Sequence, residues 1–314
     1  MLNDLVFSVN TVLPLLLMML VGFVARRLGV IGPKGVKEAN SAVFHVFLPL
    51  LLCLNIMDTR LGETLDYRTL IYAMAGVILT FAVMFAIAPK LAREPLSRGV
   101  LIQGVARSNY AIFGVPLVML TYPDANQSVA ALMVAAVVPL FNVFSTVALM
   151  RYSGRGARGW DMARGVLLNP LILGTLAGLL LWRLQVTLPP VLDKPARSLA
   201  GVATPLALFL LGASIDFEKT RANTRLLTIG VSGRLIFVPL VFLTGAVLMG
   251  IRDVSLATLI AVFASPTAVS SYPMAQQMGG DADFAAAQVA LTTAFSGVTV
   301  FLWVFVFRMA GFLR

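Results

Sequence analysis

Charge is what this 314-residue sequence has least of. Asp, Glu, Lys and Arg make up 12% of it, about half the share of a soluble domain. With 59% apolar residues beside so little charge, the chain cannot cover its surface for water. Cysteine occurs once, at Cys53, which excludes a disulfide framework and a thiolate metal site. Histidine occurs once, at His45, which excludes histidine-cluster metal chemistry and the His-Glu-x-x-His protease motif. No Gly-x-Ser-x-Gly elbow and no aspartate-rich diphosphate motif is present. These absences leave intramembrane enzymes without machinery, and no cofactor is implied. His45 itself reads as a core residue.

Long apolar runs are what the chain has instead. Runs of about 20 residues, each enough for ~30 Å of hydrocarbon, recur between charged or Gly/Pro punctuation. They predict an all-α membrane protein of ten helices over 5–28, 35–57, 68–90, 96–121, 126–152, 161–184, 190–215, 222–250, 253–278 and 282–311. The first run follows Asp4 with no Lys or Arg ahead of it, so it is expected to be a retained helix, not a cleaved signal. The net charge of +10 lies mainly in the short loops, where Lys and Arg set topology, so no nucleic-acid partner is expected. Arg26, Arg27, Lys34, Lys37, Lys90, Arg93, Arg98, Arg151, Arg155, Arg158, Arg164, Lys219, Arg221 and Arg225 fall on one side. Arg60, Arg68, Arg183, Lys194, Arg197, Arg252, Arg308 and Arg314 fall on the other. The imbalance puts both termini outside the cytoplasm.

The two halves resemble each other at an almost constant offset. Pro14, Gly22, Arg27 and Leu28 recur 156 residues later as Pro170, Gly178, Arg183 and Leu184, and Pro49-Leu50 recurs as Pro205-Leu206. Val105, Ser108, Ala111 and Pro116 recur 157 residues later as Val262, Ser265, Ala268 and Pro273, and Asp124-Ala125 as Asp281-Ala282. The sequence therefore divides into repeats at 1–152 and 161–314. Five is odd, so the second copy must enter the membrane from the opposite side. Such inverted repeats place a substrate site near the midplane at their interface.

The fourth and ninth runs carry small and polar residues with proline in mid-span, at Arg107-Ser-Asn-Tyr110 through Pro116 and at Ser265-Pro-Thr267 through Ser270, Ser271 and Pro273. Proline removes a backbone donor, and irregular backbone at membrane depth survives only against protein or a watery cavity. Interruptions at matched points of two halves point to a transporter site. Half-helices starting at such breaks offer amide groups and a partial positive charge to an anion. Arg107 adds a full charge there, at a cost of ~2.5–3.5 kcal/mol on insertion scales. Asn109, Asn142 and Gln276 complete the candidate site. Asn55, Gln103, Thr146, Asn169, Gln277, Gln288 and Thr292 read as contacts between helices. Arg234 reads as a partner for Asp216 at least as well as a site residue. No carboxylate lies deep in the crossing, so coupling to protons or sodium stays open, with neutral oxygens as the alternative sodium ligands.

The stretches Arg107-Ser-Asn-Tyr-Ala-Ile-Phe-Gly-Val-Pro116 and Ser265-Pro-Thr-Ala-Val-Ser-Ser-Tyr272, followed by Ala275-Gln-Gln-Met-Gly-Gly-Asp-Ala-Asp283, resemble the auxin efflux carrier family. So do Phe47-Leu-Pro-Leu50 and Thr204-Pro-Leu206. The resemblance implies ten helices with the fourth and ninth crossing at their breaks. It implies a scaffold of helices 1, 2, 6 and 7 and a transport domain of helices 3–5 and 8–10 that moves like an elevator. Bacterial members, set in the inner membrane, are associated with malonate or malate, which agrees with a small organic anion. The fold is similar to that of bile-acid sodium symporters, where a carboxylate in the ninth helix helps hold sodium. Pro266 and its neighbours offer none. A passive anion channel or receptor on the same fold, and a sodium-coupled symporter of a larger amphipathic acid, are the alternatives. Oligomeric state, including a homodimer, is left open.

Overall fold

The computed structural model describes residues 2–58, 66–122, 128–153, 160–216 and 223–313. Arg60, Asp124, Ala125, Arg155, Arg158, Lys219, Arg221 and Arg314, which carry part of the topology and repeat expectations, lie outside the described residues. Among the described residues every regular element is helical. In chain order they are α1 Leu2–Arg27, α2 Pro33–Met57, α3 Tyr67–Leu91, α4 Pro95–Ala106, α5 Val115–Thr121, α6 Ser128–Tyr152 and α7 Trp160–Leu167. They continue as α8 Pro170–Arg183, α9 Pro190–Ala213, α10 Thr224–Leu248, α11 Asp253–Ala264, α12 Ser271–Gln277 and α13 Ala282–Met309.

Local chemistry sets the boundaries. Pro33, Pro95, Pro170 and Pro190 stand at the first helical positions, where a missing N–H costs nothing. The Asp66 carboxylate accepts from Thr69 N at 3.1 Å to open α3, and Asp281 accepts from Phe284 N at 2.9 Å to open α13. Asn169 accepts from Leu171 N at 2.9 Å. This cap and the following proline split the stretch expected as one helix over 161–184 into α7 and α8, which corrects that expectation.

Three segments open into π-turns, Val43–Phe47 in α2, Tyr110–Gly114 ahead of α5, and Gly233–Phe237 in α10. Each stands just before a proline at the start of the next regular turn, at Pro49, Pro116 and Pro239. A proline cannot donate to the turn behind it, so the preceding carbonyls shift register and the helix widens there.

Pro33–Met57, Tyr67–Leu91, Leu132–Tyr152, Pro190–Ala213, Thr224–Leu248 and Ala282–Met309 are each long and apolar enough to cross a bilayer, and α8 and α11 are shorter apolar helices. Ile71, Val83, Leu240, Val241, Val298 and Leu302 are exposed along them, as lipid-facing side chains of a multi-pass membrane protein would be. α1 packs on α9, and α2 on α8. Small residues let these pairs approach closely: a Cβ on Gly22 would stand 1.9 Å from Phe209 O, and one on Gly178 would stand 2.6 Å from Cys53 O, so neither position admits a side chain. α4 packs between α3 and α6, and α11, α12 and α10 pack against α13.

Candidate functional site

The fourth and ninth stretches are both broken, and the breaks meet. α4 ends at Ala106 and α11 at Ala264. The extended residues that follow pair as a two-residue antiparallel bridge between Ser108 and Thr267. Asn109 N donates to Pro266 O at 2.8 Å, and Ala268 N donates to Arg107 O at 3.3 Å. Backbone freed by the breaks is thus satisfied within the protein, as burial at membrane depth demands. Thr267 ties the crossing down. Its Oγ1 donates to Gly104 O at 2.6 Å, and its N–H donates to Thr292 Oγ1 at 3.2 Å. Gln103 Nε2 donates to Ser271 O at 3.0 Å.

Two half-helices end here, so two sets of carbonyls lose their intrahelical donors. Arg234, 1% exposed and carried by the π-turn of α10, supplies the replacement. Its Nε donates to Ser265 O at 2.8 Å. Nη1 reaches Val105 O at 3.0 Å and Ala106 O at 3.4 Å, and Nη2 reaches Val262 O at 2.8 Å and Phe263 O at 2.7 Å. The expected Asp216 partnership is replaced by a main-chain role. The sequence could not show it, because carbonyls are the same at every position. The one available signal was an arginine inside a span, five residues before a proline.

Arg107, 3% exposed, sits on the other face of the crossing with a different kind of partner. Nη2 donates to Asn142 Oδ1 and to Ser270 Oγ, both at 2.8 Å, and Nη1 to Met274 Sδ at 2.5 Å. Asn142, fully buried in α6, is held by its Nδ2 donating to Thr175 Oγ1 at 3.0 Å. Arg107, Ser108, Asn109, Tyr110 and Ser270 line a cavity of about 50 Å³. Val138 and Phe141 of α6, Leu48, Leu52 and Asn55 of α2, and Thr204 and Ala207 of α9 close it. Among the described residues, Ser108 Oγ and Asn109 Nδ2 are buried without a hydrogen-bonding partner, as is Ser271 Oγ. Buried polar atoms left unpaired mark places where a ligand can supply the partner.

The other expected site residues lie around this centre. Ser265 and Pro266 are in the crossing itself, where Ser265 Oγ donates to Ala261 O at 2.5 Å. Pro273 is buried in α12. Pro116 is exposed at the start of α5 and does not line the cavity. Gln276 lies on a second cavity of about 620 Å³, lined by Arg26, Arg27, Ser214, Asp216, Tyr272 and Asp283 among others. There Gln276 Nε2 donates to Tyr272 Oη at 3.0 Å and Gln276 Oε1 accepts from Asn40 Nδ2 at 2.5 Å, while Tyr272 Oη pairs with Ser214 Oγ. Sequence reasoning missed Asn40, and it took Asn55 for a contact between helices. His45, expected in the core, is exposed on the π-turn of α2, with Nδ1 2.9 Å from Ser41 O.

Apolar helices of spanning length, two interrupted helices that meet by their backbones, and a buried arginine at the edge of a largely apolar cavity are features that suit a membrane transport protein. Comparison with known sequences agrees. Residues 7–159 and 161–304 match the family described as membrane transport protein, that of the auxin efflux carriers, and the chain belongs to it. A protein of Rhizobium meliloti (strain 1021) described as "Putative malonate transporter" is 24% identical over 300 residues, covering 92% of each chain. An "Uncharacterized transporter" of Methanothermobacter thermautotrophicus is 22% identical over 300 residues, with 94% of this chain and 97% of that protein covered.

Proposed function

We propose that the protein is a secondary carrier for a small organic anion, a mono- or dicarboxylate of the malonate or malate kind, bound at the crossing. The observation that carries this reading is the Arg107 guanidinium beside Ser108 Oγ and Asn109 Nδ2, all at one cavity. A guanidinium presents paired N–H donors that match a carboxylate. Its present partners, an amide, a hydroxyl and a thioether, are neutral, so a carboxylate would bond it more strongly than they do. The name of the Rhizobium meliloti relative supports the same class of substrate.

The carrier is read as ten spans in two inverted repeats, 1–152 and 161–314, with both termini outside the cytoplasm of a bacterial inner membrane. Supporting this are the broken segments at matching places and the repeat-related glycines. Gly22 in the first repeat packs on α9 of the second, and Gly178 in the second packs on α2 of the first. α1, α2, α7 with α8, and α9 form the scaffold, and α3–α6 with α10–α13 form the moving domain. The cavity lies where the scaffold helices α2 and α9 meet the crossing, which is where an elevator would pass its cargo. On this topology the 620 Å³ vestibule opens toward the cytoplasm.

Counterflow in proteoliposomes tests the reading. Preloaded malonate or malate should accelerate uptake of the labelled acid, which a pore does not do. Arg107→Ala should lower uptake ~100-fold, the scale for losing a charged hydrogen-bonding partner. Wild-type uptake by Arg107→Ala would remove the anion site from the crossing.

A further inference from the structure

The oxygens around Arg234 form a recognisable ligand set. Five main-chain carbonyls, from Val105, Ala106, Val262, Phe263 and Ser265, turn from the C-terminal ends of α4 and α11 toward one guanidinium, spread around its three nitrogens. Unwound carbonyls and half-helix C-terminal ends are what broken-helix carriers offer to a coupling cation, and main-chain carbonyls are suitable ligands for hard cations. Each helix end carries roughly −0.5 charge, so two ends together present roughly −1. The guanidinium brings +1 between them, at 2.7–3.4 Å from the oxygens.

We propose that Arg234 is a tethered counter-cation. It occupies the place a sodium ion would otherwise take between the two half-helices, and the carrier therefore keeps its crossing assembled with no bound metal ion. This rests on reading the crossing as a carrier site and adds to it the ion economy of that site. Among the described residues no group of three or more His, Cys, Asp or Glu could hold a metal ion. An arginine stays charged at any working pH, so the compensation would be permanent. Arg234 is a positioning residue on this view. It acts on the anion through the backbone that runs from Ser265 to Ala268, where Ala268 reaches the cavity lined by Arg107.

The test is the melting of purified protein in salts of equal ionic strength, which needs no transport. Wild-type protein should melt at the same temperature in sodium, potassium and choline chloride. Arg234→Ala should melt lower, and millimolar methylguanidinium or sodium should raise its melting point by several degrees over choline, because a cation that binds only the folded state stabilises it by mass action. Arg234→Lys keeps the charge on a shorter stem and should melt between the two, indifferent to sodium. If Arg234→Ala fails to fold, the sodium response of Arg234→Lys decides. The proposal is overturned if the wild type needs sodium for stability, if folded Arg234→Ala responds to no cation, or if Arg234→Lys responds to sodium. Failure of counterflow would leave these results untouched, so the two readings fail separately.

Discussion

Two arginines are buried within the crossing, and their partners could hardly differ more. Arg107 is held by three side chains, Asn142, Ser270 and Met274, whose rotamers can change without unwinding a helix. Arg234 is held by five backbone carbonyls, which cannot leave without unwinding two helices. The same residue type is thus a group that can exchange partners on one face and a fixed part of the frame on the other. Charge alone does not separate the two roles; the mobility of the partners does.

The comparison breaks most directly in stability. Arg234→Met should cost several kcal/mol, since each carbonyl left buried without a donor costs about 1–3 kcal/mol, and the apparent melting temperature should fall on the order of 10 °C. Arg107→Met keeps the volume and strands only side-chain acceptors that can reorient. It should lower melting by only a few degrees while reducing uptake as Arg107→Ala does. Equal losses of stability at the two positions, measured by fluorescence melting in detergent, would mean that the two arginines do the same job.

The next effect is on uptake. Asn142→Asp would set a carboxylate against the guanidinium at the present 2.8 Å contact, a resident competitor for the anion. Uptake should drop at least tenfold, about 1.4 kcal/mol, with melting unchanged or raised. Asn142→Ala removes the anchor without the competitor and should raise KM more than it lowers kcat. A normal uptake rate in Asn142→Asp would show that the anion binds away from Arg107.

These residues also divide by what a sequence can reveal. The two breaks were legible because Ser, Asn and Pro are costly inside apolar runs, and Arg107 and Asn142 stood out for the same reason. Six of the expected spans match helices of spanning length among the described residues, while at Asn169 a local cap and a proline overrode a continuous apolar pattern. Arg234's role was not legible, because its partners are backbone atoms brought together only by the crossing. His45 was misplaced because a π-turn rotates the residues within it off the regular helical face, and apolar periodicity carries no sign of that extra residue. Asn40 and Gln276 lie 236 residues apart, and only the fold joins them.

The smallest expected effect lies at the outer end of the second broken helix. Asp66, which opens α3, also accepts from Ser255 Oγ near the start of α11. At the outer end of the first broken helix, Ser97 Oγ in α4 donates to Asp281 Oδ2 at 2.6 Å. Each broken helix is therefore fastened at its outer end to the carboxylate that caps another helix. Burial pushes the Asp66 carboxyl up, but the hydrogen bonds from Ser255 and Thr69 outweigh it and hold the group below the usual carboxylate range. A carboxyl depressed in the folded state adds stability above its unfolded pKa, and loses it as pH falls through the folded value. Melting of the wild type should thus decline below about pH 4, where an ordinary aspartate begins to protonate. Ser255→Ala should flatten that decline and lower melting at pH 7 by only a degree or two, the scale of one partly exposed hydrogen bond. A Ser255→Ala profile parallel to the wild type would place the acid sensitivity elsewhere. The outer fastening would then be a cap alone, and the rigidity of the second broken helix would rest on the Arg234 end.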